Sequence, residues 1–421
     1  MLNRVVFIAI ENFNRELTGK KLLAQELSNN GYTVFMGHKS IIRSLLNIFP
    51  QKEHIFIDKG VTIGSAKRIT KLKKSGMFIF SFDEEALMQT DGIRYSRFNH
   101  EKDSISNIDG IFSWGPKHKE LLRKIGYKEN QIIKTGNPRF DIYKLITKKE
   151  KSKKKGKYIL ICSRFCMLRA SEMQAHSEKF MKPTIAIYEE FLKLPKLIRD
   201  SDIKTPILIR PHPSEPFYEW EKATSELKNI FISSKGPLSN VFKDSILMIH
   251  NRSTSGIEAY FSGLPVMSFD PIELNEPPHP PKEFINSFAD YVAETKKEVL
   301  ENIKKILKGE KSSKNKINSV GNYLFHFEDL SYKKITEFII QKYPSRNKNL
   351  KDFDFTKILF LIVLIYIYHS FHKLLLKIFD NEKFEYTKNK RGKFFKDKYL
   401  EKRNYKNKKI SFCSVDIFFP G

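Results

Sequence analysis

The run Ile246-Leu-Met-Ile-His250 passes directly into Asn251-Arg-Ser-Thr-Ser-Gly-Ile-Glu258. Consecutive apolar residues suit a strand buried on both faces, and the small hydroxyl residues, glycine and helical pattern that follow suit the start of a helix. A helix beginning right after a strand offers unpaired backbone N–H groups and the positive end of its dipole. Ser253, Thr254, Ser255 and Gly256 are small enough to let a phosphate come close, with Arg252 adding charge. The bland alternative is an ordinary cap, which needs one hydroxyl where this turn has three. Some forty residues upstream, Ile207-Leu-Ile-Arg-Pro-His-Pro-Ser-Glu215 repeats the arrangement. A short apolar strand brings Arg210 and His212 to its carboxyl end, and Pro211 and Pro213 fix the exit. Glu258 lies one turn into the later helix, where it either complements the dipole or reaches a ribose.

Working outward, apolar runs alternate with helical stretches. Val5 to Ile10, Thr33 to Met36, Ile55 to Ile57, Met77 to Phe82, Gly110 to Trp114 and Ile132 to Thr135 read as strands, with helices over Thr18 to Asn29, Ile41 to Ile48 and Lys117 to Ile125. After a lysine-rich stretch the pattern restarts with Tyr158 to Cys162, Pro206 to Ile209, Ile230 to Ile232, Ile246 to Ile249 and Pro265 to Phe269. Near-continuous apolar strands separated by helices predict parallel sheets covered on both faces. The expectation is an α/β chain of two doubly wound, Rossmann-like domains facing a cleft: residues 1–143, a basic linker 144–157, residues 158–345, and a helical basic tail 346–421. No repeat of solenoid length is visible.

Composition agrees. At 421 residues the chain exceeds one ordinary core, and 40% hydrophobic content excludes a disordered protein. Cys162, Cys166 and Cys413 are odd in number and unevenly spaced, which points to a reducing compartment; Cys162 and Cys166 lack a second pair for zinc. The first residues read as a strand and not as a signal peptide, so the expected location is the cytoplasm. The net charge of +27 is concentrated where it matters: Lys148 to Lys157, and residues 382–410, with twelve Lys or Arg against four Asp or Glu. Such stretches seek anionic surfaces.

Gly136-Asn-Pro-Arg-Phe-Asp141, Asp83-Glu84-Glu85 after a strand, Arg15-Glu16-Leu17, Arg210-Pro-His-Pro213 and the hydroxyl-rich turn with Gly263-Leu-Pro265 form an ordered set over residues 1 to 345. That set resembles bacterial surface carbohydrate biosynthesis proteins, which are glycosyltransferase-like with the GT-B fold. More distantly, the His-Pro step with a downstream Ser/Thr cluster is similar to polysialyltransferases, capsular Kdo transferases and CDP-glycerol glycerophosphotransferases. One departure stands out: Glu85 and Ala86 follow the acidic pair where relatives often have glycine.

The resemblance implies a glycosyltransferase of surface polysaccharide, capsule or lipopolysaccharide assembly, with a CMP- or CDP-linked sugar as donor and a growing glycan or lipid-linked acceptor. Arg210, His212, Arg252, Ser253, Thr254, Ser255, Gly256 and Glu258 would hold the donor. Asp83 and Glu84, directly after a strand, supply a general base or form a solvated turn. Arg15, Glu16, Asn137 and Arg139 face the acceptor or the cleft: Arg15 and Glu16 hold acceptor hydroxyls or start the first helix, and Arg139 faces donor phosphate or braces the hinge. His118, His176 and His326 stand isolated and read as packing or surface residues. Asp352-Phe-Asp354 has metal-site spacing but follows no strand, so no metal and no further cofactor is expected, with arginines, His212 and a helix dipole doing that work.

Ile358-Leu-Phe-Leu-Ile-Val-Leu-Ile-Tyr-Ile-Tyr368 is apolar without a break. As a helix it covers about 16 Å, roughly half a hydrocarbon core. It is either a helix buried on the domains or, with the basic aromatic residues that follow, an attachment of residues 355–410 to the cytoplasmic face of the inner membrane. The rival enzyme class is a UDP-sugar 2-epimerase. A basic nucleic-acid-binding protein is the non-enzymatic rival; it leaves the paired strand-end motifs unexplained, and no nucleic acid is expected.

Overall fold

The computed structural model describes residues 2–48, 50, 52–61, 64–84, 86, 102–150, 156–165, 178–212, 215, 217–236, 238–272, 282–310, 320–325, 328–347, 355–379, 409–412 and 415–418. Glu85, Cys166, His176, Pro213, His326, Asp352, Asp354, Cys413 and most of the basic stretch 382–410 lie outside the described residues. The chain divides into two compact units: residues 1–86, 91–142 and 321–421 form one, and residues 87–90 with 143–320 form the other.

The first unit is built on an eight-stranded sheet. Its parallel strands are β2 (Val5–Ile10), β3 (Thr33–His38), β4 (Ile55–Asp58), β5 (Phe78–Ser81), β6 (Gly110–Ser113) and β7 (Ile132–Lys134), in the order β3-β2-β4-β5-β6-β7. Alternation assigns the faces. Val5, Phe7 and Ala9 of β2 meet helices Lys39–Ile48, Ala66–Lys74 and Phe355–Phe379 through Ile42, Leu45, Ile69, Leu72, Ile358 and Ile362. On the other face, helix Ser331–Lys342 sets Phe338 edge-on against Phe80 and Phe112, 5.7 and 6.4 Å between ring centres. Sequence and structure agree on all six parallel strands within two residues at each end. The first helix, Phe13–Asn29, starts five residues before Thr18, because Glu16 caps it from within.

Two corrections concern the C-terminus. The expected boundary at residue 345 falls before Gly321 instead. Tyr32 Oη donates to the Tyr343 carbonyl at 2.8 Å, the Tyr332 N–H donates to Asp141 at 2.8 Å, and Arg4 N–H donates to the Ser345 carbonyl, so this stretch belongs to the first unit. Nor is the sheet all parallel: β15 (Lys409–Phe412) and β16 (Val415–Phe418) form an antiparallel pair, and β16 adds antiparallel to β3. A further short antiparallel pair joins β1 (Leu2–Asn3) to β14 (Arg346–Asn347). The expected linker 144–157 is helical in its first half, within helix Asp141–Glu150.

The second unit carries a six-stranded parallel sheet in the order β10-β9-β8-β11-β12-β13. The strands are β8 (Tyr158–Cys162), β9 (Ile207–Arg210), β10 (Ile230–Ile232), β11 (Ser245–His250), β12 (Val266–Phe269) and β13 (Tyr291–Ala293). Ile159, Ile161, Leu247 and Ile249 face helices Glu178–Arg199 and Lys296–Leu307, while Leu160, Cys162 and Met248 face Leu238–Asp244 and Ser255–Phe261. Strand order counts outward in both directions from the pair β8 and β11, so the two crossovers leave this pair on opposite faces. The carboxyl ends of that pair are where ligands sit in sheets of this type.

Gly115 reports the C-terminal correction. It follows β6 in extended backbone, and a Cβ there would lie 2.0 Å from the Tyr323 carbonyl oxygen. Gly115→Ala is expected to lower stability by about 1–3 kcal/mol through overpacking against rigid backbone. Urea unfolding checks it; unchanged stability would mean residues 320–325 do not seat on β6.

Candidate functional site

The carboxyl edge of the first unit gathers three of the sequence motifs around a lysine that none of them contains. Lys20 is almost fully buried. Its Nζ lies 2.7 Å from Glu16, 3.2 Å from Glu84 and 3.0 Å from the Ala9 carbonyl oxygen. Glu84 also accepts from Asn137 Nδ2 at 3.4 Å, and Arg15 and Arg139 act on it electrostatically. The loops after β2, β5 and β7 thus converge on one buried carboxylate. Gly19 permits it: a Cβ there would meet the Pro138 carbonyl oxygen at 2.4 Å, so only glycine lets the 137–140 turn approach the first helix.

Charge divides unequally within the cluster. Burial pushes the Glu84 carboxyl up and Glu16 beside it adds to that; Lys20, Arg15 and Arg139 oppose without prevailing. Burial pushes Glu16 up as well, yet the Lys20 charge and hydrogen bond, with N–H groups from Asn12 and Glu11, hold it below the usual carboxylate range. One ammonium serves two carboxylates, and Glu84 keeps its proton to higher pH. The expectation that Glu16 faces an acceptor gives way: it is 1% exposed and caps its own helix. Arg139 is buried with its guanidinium near the Phe140 ring, and its N–H donates to Asn137.

Asp83 has its own partner. The His118 Nδ1 accepts the Trp114 N–H at 3.0 Å, which leaves the ring proton on Nε2, 3.6 Å from Asp83 Oδ2. The two residues are thirty-five positions apart, and His118 reads as isolated in the sequence; the structure sets it, fully buried, against the acidic loop.

In the second unit the residues at the β8 and β11 ends form a continuous hydrogen-bonded set. Arg164 donates to the Asn251 carbonyl and side chain at 2.8 and 3.0 Å, and Asn251 donates to Asp270 at 2.7 Å. Arg252, with φ +42°, lies 3.3 Å from Asp270, so a buried carboxylate balances the arginine that the sequence assigns to a phosphate. Arg210 donates to the Lys235 and Gly236 carbonyls at 2.9 and 2.6 Å and braces that loop. Tyr143 Oη donates to Glu258 at 3.2 Å.

The hydroxyl turn differs from its sequence reading in one physical respect. The helix Ser255–Phe261 has seven residues, and its leading N–H groups are engaged within the turn. Ser253 N–H donates to His250 Nδ1 at 3.3 Å, Ser255 N–H to the Ser253 hydroxyl at 3.3 Å, Gly256 N–H to the Ser253 carbonyl at 3.0 Å, and Ile257 N–H to the Thr254 carbonyl at 3.1 Å. The expected array of unpaired N–H groups is therefore replaced by hydroxyls, Ser253 and Ser255, held 2.7 Å apart. Gly256 serves packing: a Cβ would lie 2.4 Å from His250 Nε2, against which the helix is pressed.

Glu215, the last residue of the quoted proline motif, is the organiser that sequence reasoning missed. Its carboxylate accepts from Ser163 Oγ at 2.7 Å, Trp220 Nε1 at 2.8 Å, and the His212 and Phe165 N–H groups at 3.2 and 3.1 Å. Burial pushes its carboxyl up against these donors. The result is that His212 is held by its backbone while its side chain stands exposed. A carboxylate two residues after a His-Pro step was a signal available in the sequence. Burial pushes the Cys162 thiol up to about 12, so it stays a protonated packing group.

No protein-family model matches the chain, and no curated protein matches it in sequence. Solved structures do match in fold. A putative UDP-N-acetylglucosamine 2-epimerase from Listeria monocytogenes aligns over 84% of this chain and 100% of its own, with 14% identity and a TM-score of 0.53. The S. aureus MnaA–UDP structure aligns over 84% and 100%, at 12% identity and TM-score 0.51. The wall teichoic acid polymerase TagF aligns over 81% and 88%, at 14% identity and TM-score 0.50. The chain has the GT-B-like fold.

His250 gives the second unit a pH signature. Burial, then the nearby Arg164 charge, lowers its pKa to about 3. The folded unit refuses a proton that the unfolded chain accepts below about pH 6.5, so this contribution is full above 6.5 and lost as pH falls toward 3. Between pH 7 and 5 the loss is about 2 kcal/mol. Urea titrations at both pH values, compared with His250→Gln, test this; identical slopes in the two proteins would assign the pH dependence elsewhere.

Proposed function

We propose that this protein is a glycosyltransferase that moves a sugar from a CMP- or CDP-linked donor, held by the second unit, to a surface glycan or lipid-linked acceptor. The observation that carries the reading is the set at the β8 and β11 carboxyl ends: Arg164, Ser253, Ser255 and Glu258, with His212 exposed at the neighbouring β9 end. Arg164 and the paired hydroxyls take the phosphate, Glu258 with Tyr143 takes the ribose, and His212 donates to the leaving phosphate. Arg210 and Arg252 position these groups through the 235–236 loop and Asp270.

In the first unit Asp83 is the base. Removing the acceptor hydroxyl proton as the anomeric carbon is attacked needs an oriented carboxylate, and His118 orients this one. Glu84 holds Lys20 and Asn137, and through them the loops around Asp83. Setting and acceptor follow from the sequence resemblance, as does the cytidine base; TagF, a polymerase of wall teichoic acid, supports transfer chemistry on this fold.

A second reading, a UDP-sugar 2-epimerase, has its own support: the epimerase structures align along their entire length with this chain, and MnaA is bound to UDP. Incubation with UDP-N-acetylglucosamine alone separates the two. Appearance of the 2-epimer without any acceptor would favour the epimerase and overturn transfer.

Two measurements test the site. His212→Ala is expected to weaken cytidine nucleotide binding by about 1.5–3 kcal/mol with folding intact, because the residue is exposed. Unchanged affinity by calorimetry removes His212 from the donor site. Asp83→Asn is expected to keep donor affinity and lose transfer at least about a hundredfold, and Glu84→Gln to lose less. Full turnover in both variants would take the acidic loop out of the mechanism.

A further inference from the structure

Among the described residues, helix Phe355–Phe379 has one apolar face buried and another exposed. Ile358, Ile362 and Ile365 are buried in the first unit's core beside helix Lys39–Ile48. On the other side of the helix axis, Phe360 is 62% exposed, Leu364 46%, Ile367 57% and Tyr368 65%. Their spacing of four, three and one places them on one stripe. Among the described residues no helix is long and apolar enough to cross a membrane.

The charge of the chain points to the stripe's occupant. On the same face of the sheet, helix Ala66–Lys74 packs beside Lys39–Ile48 and presents exposed Lys67, Lys71 and Lys74. The helix ends at Phe379 and the chain returns to the first unit's sheet at Lys409. In the sequence the stretch that follows the helix is basic: residues 382–410 carry twelve Lys or Arg against four Asp or Glu. An apolar stripe on a strongly basic chain fits a surface with an apolar interior and anionic heads. A second copy fits poorly, since self-pairing would bring like charges together on a chain of net charge +27.

We propose that the Phe360, Leu364, Ile367 and Tyr368 stripe inserts into the headgroup region of an anionic lipid bilayer, with helix Phe355–Phe379 lying in the membrane plane. This goes beyond the proposed reaction and is independent of it, because the readout is lipid binding and not turnover. The full chain is mixed with phosphatidylcholine vesicles with and without phosphatidylglycerol, and sedimented. Wild type is expected to sediment with the anionic vesicles and to be released by salt. Phe360→Ser combined with Ile367→Ser is expected to cut partitioning at least about tenfold while thermal unfolding stays unchanged, since both side chains are exposed. Lys67→Gln, Lys71→Gln and Lys74→Gln together are expected to weaken the preference for anionic lipid. Sedimentation of the double variant equal to wild type overturns the proposal. So does a lipid-free wild-type dimer in analytical ultracentrifugation that the double variant turns into a monomer, because a second copy then covers the stripe.

Discussion

A lysine buried between two glutamates organises the first unit's carboxyl edge. Desolvating an ammonium costs several kcal/mol, and a buried ion pair recovers that only when its geometry and hydrogen bonds are complete. Here Lys20 satisfies its three donors with Glu16, Glu84 and the Ala9 carbonyl. Each partner is tied to a different stretch of chain: Glu16 caps the first helix, Ala9 lies within β2, and Glu84 follows β5 and meets Asn137 from beyond β7. The cluster therefore fixes the relative positions of loops that the apolar sheet alone leaves free. Removing either glutamate leaves the lysine with one countercharge in a nearly dry site, which makes the arrangement cooperative.

The second unit solves the same problem without a lysine. Glu215 collects four donors from residues before, within and after the Arg-Pro-His-Pro step, and burial raises its carboxyl even so. Asn251 and Asp270 tie the ends of β11 and β12 together, and Arg164 reaches them from β8. Both units thus place a polar lattice over the carboxyl ends of strands whose interiors are apolar on both faces. Backbone groups leaving a parallel sheet there need partners, and these side chains supply them. His212 joins that lattice through its backbone N–H, while the residue stays exposed.

The strands were legible in the sequence because burial on both faces writes a continuous apolar run, and every parallel strand but β13 lies where such a run predicts it. Tyr291–Ala293 is three residues long and half-buried, too short to stand out. The motifs were legible too, but their partners were not. Lys20 sits in a stretch reading Glu-Leu-Thr-Gly-Lys-Lys, where nothing local separates the buried lysine from its neighbour Lys21. His118 meets Asp83 only through the pairing of β5 with β6. The boundary error has the same origin. Residues 331–342 form an ordinary amphipathic helix, and only long-range contacts such as Tyr32 with Tyr343 assign it to the first unit.

Helix Phe355–Phe379 tests a rule about reading such segments. A helix apolar all round is usually taken as buried all round. Here one stripe closes the first unit's core and the other does not, so the unbroken apolar run is two half-patterns superposed on one helix. Core packing alone would need apolar residues near 358, 362 and 365 and would allow polar ones at 360, 364 and 367. Phe360, Leu364 and Ile367 stand there instead, and all three are exposed. The antiparallel return of β16 covers the edge of the parallel strands at β3 and passes the sheet's edge to the short strand β15.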